Sequence, residues 1–278
     1  MSATASRLAI LGAGNIGRAI ARGVASAGLV PKDKIILTRR KSDQLADLTA
    51  EGFAATSNNQ EAVRSSDIII IAVTPQQLNT LLADIKPAVR PERHTLVSVV
   101  SGATIGEIRD HLGIDADIVR VMPNTAIAIR ESMTCLSTNK TDGKGVERVK
   151  ELFEAMGRVI VIEESLMVPA TALCACGIAF FLRAIRAASQ GGIEIGFHAE
   201  DALLMAAQTA RGAASLLVQA GNHPEKEVDK VTTPQGCTIS GLNQMEHNGF
   251  SSALIKGIVT SAEKAAVLYA PKKSKIED

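Results

Sequence analysis

Gly12, Gly14 and Gly17 stand in the run Leu8-Ala9-Ile10-Leu11-Gly12-Ala13-Gly14-Asn15-Ile16-Gly17, a G-x-G-x-x-G spacing. A glycine turn of that kind lets backbone amides close on a phosphate and sets a pyrophosphate against a helix N-terminus, which is the chemistry of dinucleotide binding. Context supports the triplet. An apolar strand precedes it, and an amphipathic helix follows, with Ile16, Ile20 and Val24 on one face and Gly28 at its end. The competing reading is a tight strand-to-helix turn that holds no ligand.

Arg39 falls some twenty residues beyond Gly17, where a carboxylate would hold the free ribose hydroxyls of NAD. The sequence there is Thr38-Arg39-Arg40-Lys41. A guanidinium is a bidentate donor matched to a 2′-phosphate, so NADP(H) is favoured, with NADH as the alternative donor. A solvated basic turn would carry the same cluster.

A second chemical segment lies late in the chain, Val231-Thr232-Thr233-Pro234-Gln235-Gly236-Cys237-Thr238-Ile239-Ser240-Gly241-Leu242. Ile239, Leu242 and Met245 recur at spacing three, which predicts a helix opening near Gly236. The amides of Gly236, Cys237 and Thr238 would face outward there and cradle a small anion such as a carboxylate, with the Thr238 hydroxyl beside it. A capped helix entrance would use the same residue types.

The elements that must carry these residues follow from patterning. Apolar runs at 7–11, 34–38, 53–55, 67–73, 95–100, 118–122, 133–137 and 158–162 alternate with helical stretches. That alternation predicts a parallel sheet covered on both faces, an α/β Rossmann-type domain over residues 1–163. Beyond it, Ala- and Leu-rich stretches predict an all-α domain over 164–278, with helices at 165–190, 199–220, 238–248 and 252–269. Gly191-Gly192 is expected to stop the first of these. Their apolar residues exceed one exposed stripe, so a homodimer built on 164–278 is expected.

Lys plus Arg number 30 against 29 Asp plus Glu, a net charge of +1, so no polyanionic partner such as nucleic acid is advertised. The N-terminal residues lack a signal-peptide stretch, and no run of about 20 consecutive apolar residues stands in the sequence, which makes the expected location cytoplasmic. Cys135, Cys174, Cys176 and Cys237 form no C-x-x-C pair, and the five histidines are scattered, so reduced thiols and no metal are expected.

Taken in order, Gly12 to Gly17, Ala72-Val73-x-Pro75-Gln76, Arg120-Val121-Met122-Pro123-Asn124-Thr125, Gly191 to Gly196, Ala206-Ala207-Gln208-Thr209 and Thr233 to Leu242 resemble the Δ1-pyrroline-5-carboxylate reductase family over essentially the whole chain. The resemblance implies an NADPH-dependent enzyme reducing L-1-pyrroline-5-carboxylate to L-proline. It implies cofactor contacts at Gly12, Ala13, Gly14, Asn15, Ile16, Gly17, Arg39, Arg40, Asn59, Ala72, Val73, Thr74, Pro75, Val99, Val100, Ser101, Pro123 and Asn124. Substrate would be held by Glu164, Val231, Thr232, Thr233, Gly236, Cys237 and Thr238, with Thr238 as the catalytic residue. Dimers that assemble further into decamers are implied as well.

Some positions depart from the family pattern. Cys174-Ala175-Cys176-Gly177-Ile178 stands where Ser-Gly-Ser-Gly-Pro is usual, Thr74 replaces a lysine, and Gln235 replaces a frequent glycine. These departures keep open a weakened, nucleotide-sensing relative. A β-hydroxyacid dehydrogenase or imine reductase is the other alternative, but hydroxyacid oxidation needs a base, and 165–190 contains no lysine.

Overall fold

A computed structural model describes residues 7–140 and 144–269 of the 278. It divides into two compact units, one formed by the chain up to Cys176 together with the part from Ser261, the other by Gly177–Thr260.

The first unit is built on eight strands: β1 (Leu8–Leu11), β2 (Ile35–Thr38), β3 (Ala54–Thr56), β4 (Ile68–Ile71), β5 (Thr95–Ser98), β6 (Asp117–Met122), β7 (Ser132–Thr138) and β8 (Gly157–Val161). Each matches an apolar run read from the sequence. Their order is β3-β2-β1-β4-β5-β6-β7-β8. The strands β1 and β4 are buried throughout, as strands covered on both faces must be. Alternate residues divide between two apolar layers: Leu8, Ile10, Ile68 and Ile70 face one, Ala9, Leu11, Ile69 and Ile71 the other.

One expectation is corrected. The sheet is not wholly parallel, because β6 and β7 pair antiparallel while β8 runs parallel to β7. The connection from β6 to β7 is a short 3-10 turn, Thr125–Ile129, too short for the crossover that a parallel pair requires.

The second unit holds the helices Gly177–Glu194, Ala199–Ala220, Pro224–Asp229 and Cys237–His247, and most of Phe250–Ala266. Gly191-Gly192 does not end the first of them. A Cβ placed on Gly192 would sit 3.0 Å from the Ala202 Cβ, so glycine there serves close packing of two helices. The chain turns at Gly196 instead, with φ of +111°. The short helix Pro224–Asp229, capped by His223 and opened by Pro224, escaped the sequence reading because it carries no apolar stripe.

The stretch expected as a single helix from 165 is composite: a 3-10 turn Glu164–Leu166, an α-turn Met167–Ala170, a π-helical segment Thr171–Cys176, then Gly177–Glu194. The π segment coincides with the residues that depart from the family pattern. Glu164–Glu194 also contains an 18-residue window of mean hydropathy 2.0, long and apolar enough by composition to cross a membrane.

Candidate active site

Five parallel strands, β2, β1, β4, β5 and β6, end on one edge of the sheet, and that edge gathers the expected cofactor residues. Gly12 follows β1, Arg39 follows β2, Ala72 to Pro75 follow β4, Val99 to Ser101 follow β5, and Pro123-Asn124 follow β6. Strand order reverses beside β1, where the chain steps from β2 and β3 on one side to β4 on the other. Crevices at such switch points take dinucleotides.

Each glycine of the triplet has a separate reason. Gly12 has φ of +108°, and a Cβ on it would lie 2.5 Å from the Ala72 carbonyl oxygen. A Cβ on Gly17 would lie 2.2 Å from the Gly12 carbonyl oxygen, so this glycine lets the helix Asn15–Ser26 press onto the strand turn. Gly14 differs, since nothing lies within 4 Å of its would-be Cβ. Bare backbone facing open space at a helix start is what a pyrophosphate needs, so the loop fits the nucleotide. The amides of Gly12 and Ala13 donate to the Thr38 carbonyl at 3.3 and 3.0 Å, which fixes the loop against the end of β2.

Arg39 is exposed beside this loop, and its Nη1 donates to the Ala13 carbonyl at 3.2 Å. Arg40 is exposed as well. Asn59 braces the same corner: its Oδ1 accepts from the Thr38 hydroxyl at 2.6 Å, and its Nδ2 donates to Asp84 at 2.9 Å. Thr74 precedes the helix Pro75–Ile85 without capping it through its side chain.

Asn124 links three elements. Its amide donates to Ser132 Oγ at 3.2 Å, its Oδ1 accepts from the Ala126 amide at 3.0 Å, and its Nδ2 donates to the Cys174 carbonyl at 3.3 Å. The end of β6 is thereby tied to the π segment. Cys174 Sγ lies 3.8 Å from Cys135 Sγ on β7. Hydrogen bonding from the Cys135 thiol outweighs burial and draws Cys174 down to about 7, while Cys174 and then burial push Cys135 up.

Glu164, expected among substrate-binding residues, lies in the first unit and has another engagement. Its Oε1 accepts from the Ile105 amide at 2.7 Å and from Arg120 Nη1 at 3.0 Å. Nothing in the sequence pairs these residues, because 44 positions separate Glu164 from Arg120.

The second unit carries the remaining expected substrate residues. The helix Cys237–His247 starts from Gly236 with no side chain capping it, so the amides of Cys237 and Thr238 are left for a ligand or solvent. The Gly236 amide, expected to be free as well, instead donates to the Thr233 carbonyl at 2.9 Å in the turn before the helix. Thr238 is half-buried in that first turn, and Cys237 and Val231 are exposed. Gln235 has φ of +57°, in the left-handed region that favours glycine. A Cβ on Gly236 would lie 2.6 Å from Thr233 Oγ1, so the glycine lets that hydroxyl approach the helix entrance. Thr232 is used otherwise: its hydroxyl donates to the Val228 and Asp229 carbonyls at 3.1 and 3.3 Å and closes the short helix before it.

Across residues 177–260 the buried positions are Gly177, Ser189 and Ala202 alone. Phe181, Leu182, Leu204, Val218 and Ile255 are all more than half exposed. Apolar area on that scale marks an association surface.

Comparison with known proteins agrees with these features. Residues 164–268 match the family model described as pyrroline-5-carboxylate reductase dimerisation, and residues 7–102 match NADP oxidoreductase, coenzyme F420-dependent. The apolar window in Glu164–Glu194 thus lies within a matched dimerisation segment. Pyrroline-5-carboxylate reductase 1 of Dictyostelium discoideum is 55% identical over 95% of this chain, which spans half of that protein's length. Pyrroline-5-carboxylate reductase 2 of the same organism is 50% identical over 93% of this chain and 92% of its own. Among solved structures, Plasmodium falciparum pyrroline carboxylate reductase with NADP bound superposes with a TM-score of 0.86 at 26% identity, covering 95% of this chain and 98% of its own. A relative 50% identical over nearly the whole of both chains, together with the dimerisation model over 164–268, shows that this chain belongs to the pyrroline-5-carboxylate reductase family.

Proposed function

We propose that the protein reduces L-1-pyrroline-5-carboxylate to L-proline with NADPH, the closing step of proline biosynthesis. The observation that carries the reading is Gly14: bare backbone facing open space at the start of a helix, beside an arginine at the end of β2. When bound there, NADPH supplies the hydride that the imine carbon accepts.

This chain's residues bind and orient. Gly12, Ala13, Gly14, Asn15, Ile16 and Gly17 hold the pyrophosphate, and Arg39 and Arg40 receive the 2′-phosphate. Asn59, Ala72 to Pro75, Val99 to Ser101, Pro123 and Asn124 complete the cofactor contacts along the sheet edge. Residues 1–163 form the NADP-binding part, and 164–278 the substrate-binding and dimerisation part. The uncapped amides of Cys237 and Thr238 grip the substrate carboxylate at the entrance that Gly236 opens, with Glu164, Val231, Thr232 and Thr233 shaping its surroundings. Thr238 hydrogen-bonds the ring nitrogen and so polarises the C=N bond. A cyclic imine needs alignment more than a strong acid, so a hydroxyl suffices. A homodimer through the C-terminal helices, assembling further into a decamer, is the proposed state, and the cytoplasm the proposed location.

The test is loss of NADPH absorbance on addition of the cyclic imine, with proline identified as product. Thr238→Ala is expected to lower turnover about a hundredfold, the scale of one lost transition-state contact, with NADPH binding intact. NADPH binding without turnover by the unaltered protein would refute the activity, and an unchanged rate in Thr238→Ala would remove Thr238 from its role.

A further inference from the structure

Cys135 and Cys174 come from elements 39 residues apart in sequence, yet their sulfurs lie 3.8 Å apart. Cys135 is buried on β7, and Cys174 is half-buried in the π segment. Around them pack Met122, Met167, Ala170 and Ile162, an apolar shell. We propose that this pair is a redox site at which a hydroperoxide oxidant closes a Cys135–Cys174 disulfide and thereby lowers the turnover of the enzyme reversibly.

The two thiols are chemically unequal, as a two-step oxidation requires. Cys174, drawn down to about 7 by the Cys135 hydrogen, is substantially ionised at neutral pH and is the nucleophile. Its thiolate attacks the distal oxygen of the hydroperoxide, the O–O bond breaks, and the departing alkoxide or hydroxide takes a proton from water. Cys174 is then a sulfenic acid. The Cys135 sulfur attacks that sulfur, the S–O bond breaks, and the leaving hydroxide takes the Cys135 proton as water. Two thiols are oxidised by two electrons, and one peroxide is reduced to water and an alcohol, or to two waters.

Closure must shorten 3.8 Å to the disulfide length of about 2.05 Å. Movement of that size falls on the π segment, since β7 is locked between β6 and β8. The π turn carries an extra residue relative to an α-helix and is the more deformable partner. Cys174 also offers its carbonyl to Asn124 Nδ2 at 3.3 Å, so drawing its backbone toward β7 loosens the anchor of Asn124 at the end of β6. The consequence for turnover rests on the cofactor contact proposed for Asn124. Formation of the bond does not.

The full-length protein is treated with hydrogen peroxide, alkylated, digested without reduction and examined by mass spectrometry. A linked peptide joining Cys135 to Cys174 is expected, with two thiols lost per chain, in the unaltered protein and in Cys176→Ser. Turnover is expected to fall about tenfold, short of the roughly hundredfold that a full 1 Å misplacement can cost, and to return with dithiothreitol. Cys174→Ser, which restores the residue usual in the family, and Cys135→Ala should each form no linked peptide and keep their starting rate under peroxide. Absence of the linked peptide, linkage of Cys174 to Cys176 or Cys237, or an equal loss of turnover in Cys174→Ser would overturn the proposal. The peptide readout needs no substrate, so failure of the assigned reaction is told apart from failure of the redox pair.

Discussion

Arg120 Nη1 and Glu164 Oε1 form an ion pair at 3.0 Å in which the arginine side chain is 3% exposed and the glutamate 34%. Its second terminal nitrogen, Nη2, is buried with no hydrogen-bond partner among the described residues, so the charge depends on Glu164. Replacing Glu164 by Ala leaves a buried cation uncompensated and should cost about 3 kcal/mol. Glu164→Gln, which keeps the acceptor, should cost less. The double variant Arg120→Met/Glu164→Ala should regain much of the loss. Urea unfolding followed through Tyr269, the chain's single tyrosine, measures all three.

The glycine loop makes a paired prediction. Gly14→Ala adds a methyl group to open space and should leave stability within about 0.5 kcal/mol, while raising the dissociation constant for NADPH about tenfold or more. Gly17→Ala forces its Cβ to 2.2 Å from the Gly12 carbonyl oxygen and should destabilise the fold before any nucleotide is added. Thermal unfolding with and without NADPH separates the two effects. Equal behaviour of the two variants would contradict the roles assigned to these glycines.

Arg39→Asp replaces a donor beside the Ala13 carbonyl with a carboxylate. The KM for NADPH should rise about tenfold or more, as expected for loss of a charge-assisted contact, while the KM for NADH changes little. Steady-state rates with both nucleotides decide it, and equal effects would return Arg39 to an ordinary surface role.

Gln235 holds a φ of +57° just before the helix entrance. Side chains in that region cost about 1 kcal/mol, so Gln235→Gly should raise unfolding stability by about that amount or somewhat less, offset by glycine's greater freedom when unfolded. Chemical denaturation measures it. No gain would mean that the backbone relaxes freely there.

Much of this architecture was legible in the residues. Eight apolar runs returned as eight strands because short continuous apolar runs between helical stretches are a strong local signal of a sheet covered on both faces. The helix Ala199–Ala220 announced its own end through Gly221, which has φ of +64°. What could not be read depends on distant partners. The antiparallel β7 looks like any other apolar run, since direction is set by the length of the connection. Gly191-Gly192 reads as a stop unless Ala202 is known to lie against it. Within the candidate site, the glycine triplet and Arg39 stood out by spacing. The engagement of Glu164 with Arg120 and Ile105, the tie from Asn124 to Cys174, and the capping use of the Thr232 hydroxyl did not, because each joins residues whose proximity only the fold creates.

A stretch that hides little more than Gly177, Ser189 and Ala202 has almost no interior of its own, so in the proposed dimer its cover comes from the other copy. Its folding free energy then contains the logarithm of the amount of protein in the tube. Each tenfold dilution weakens pairing by about 1.4 kcal/mol, and the melting temperature becomes a property of the sample as well as of the chain.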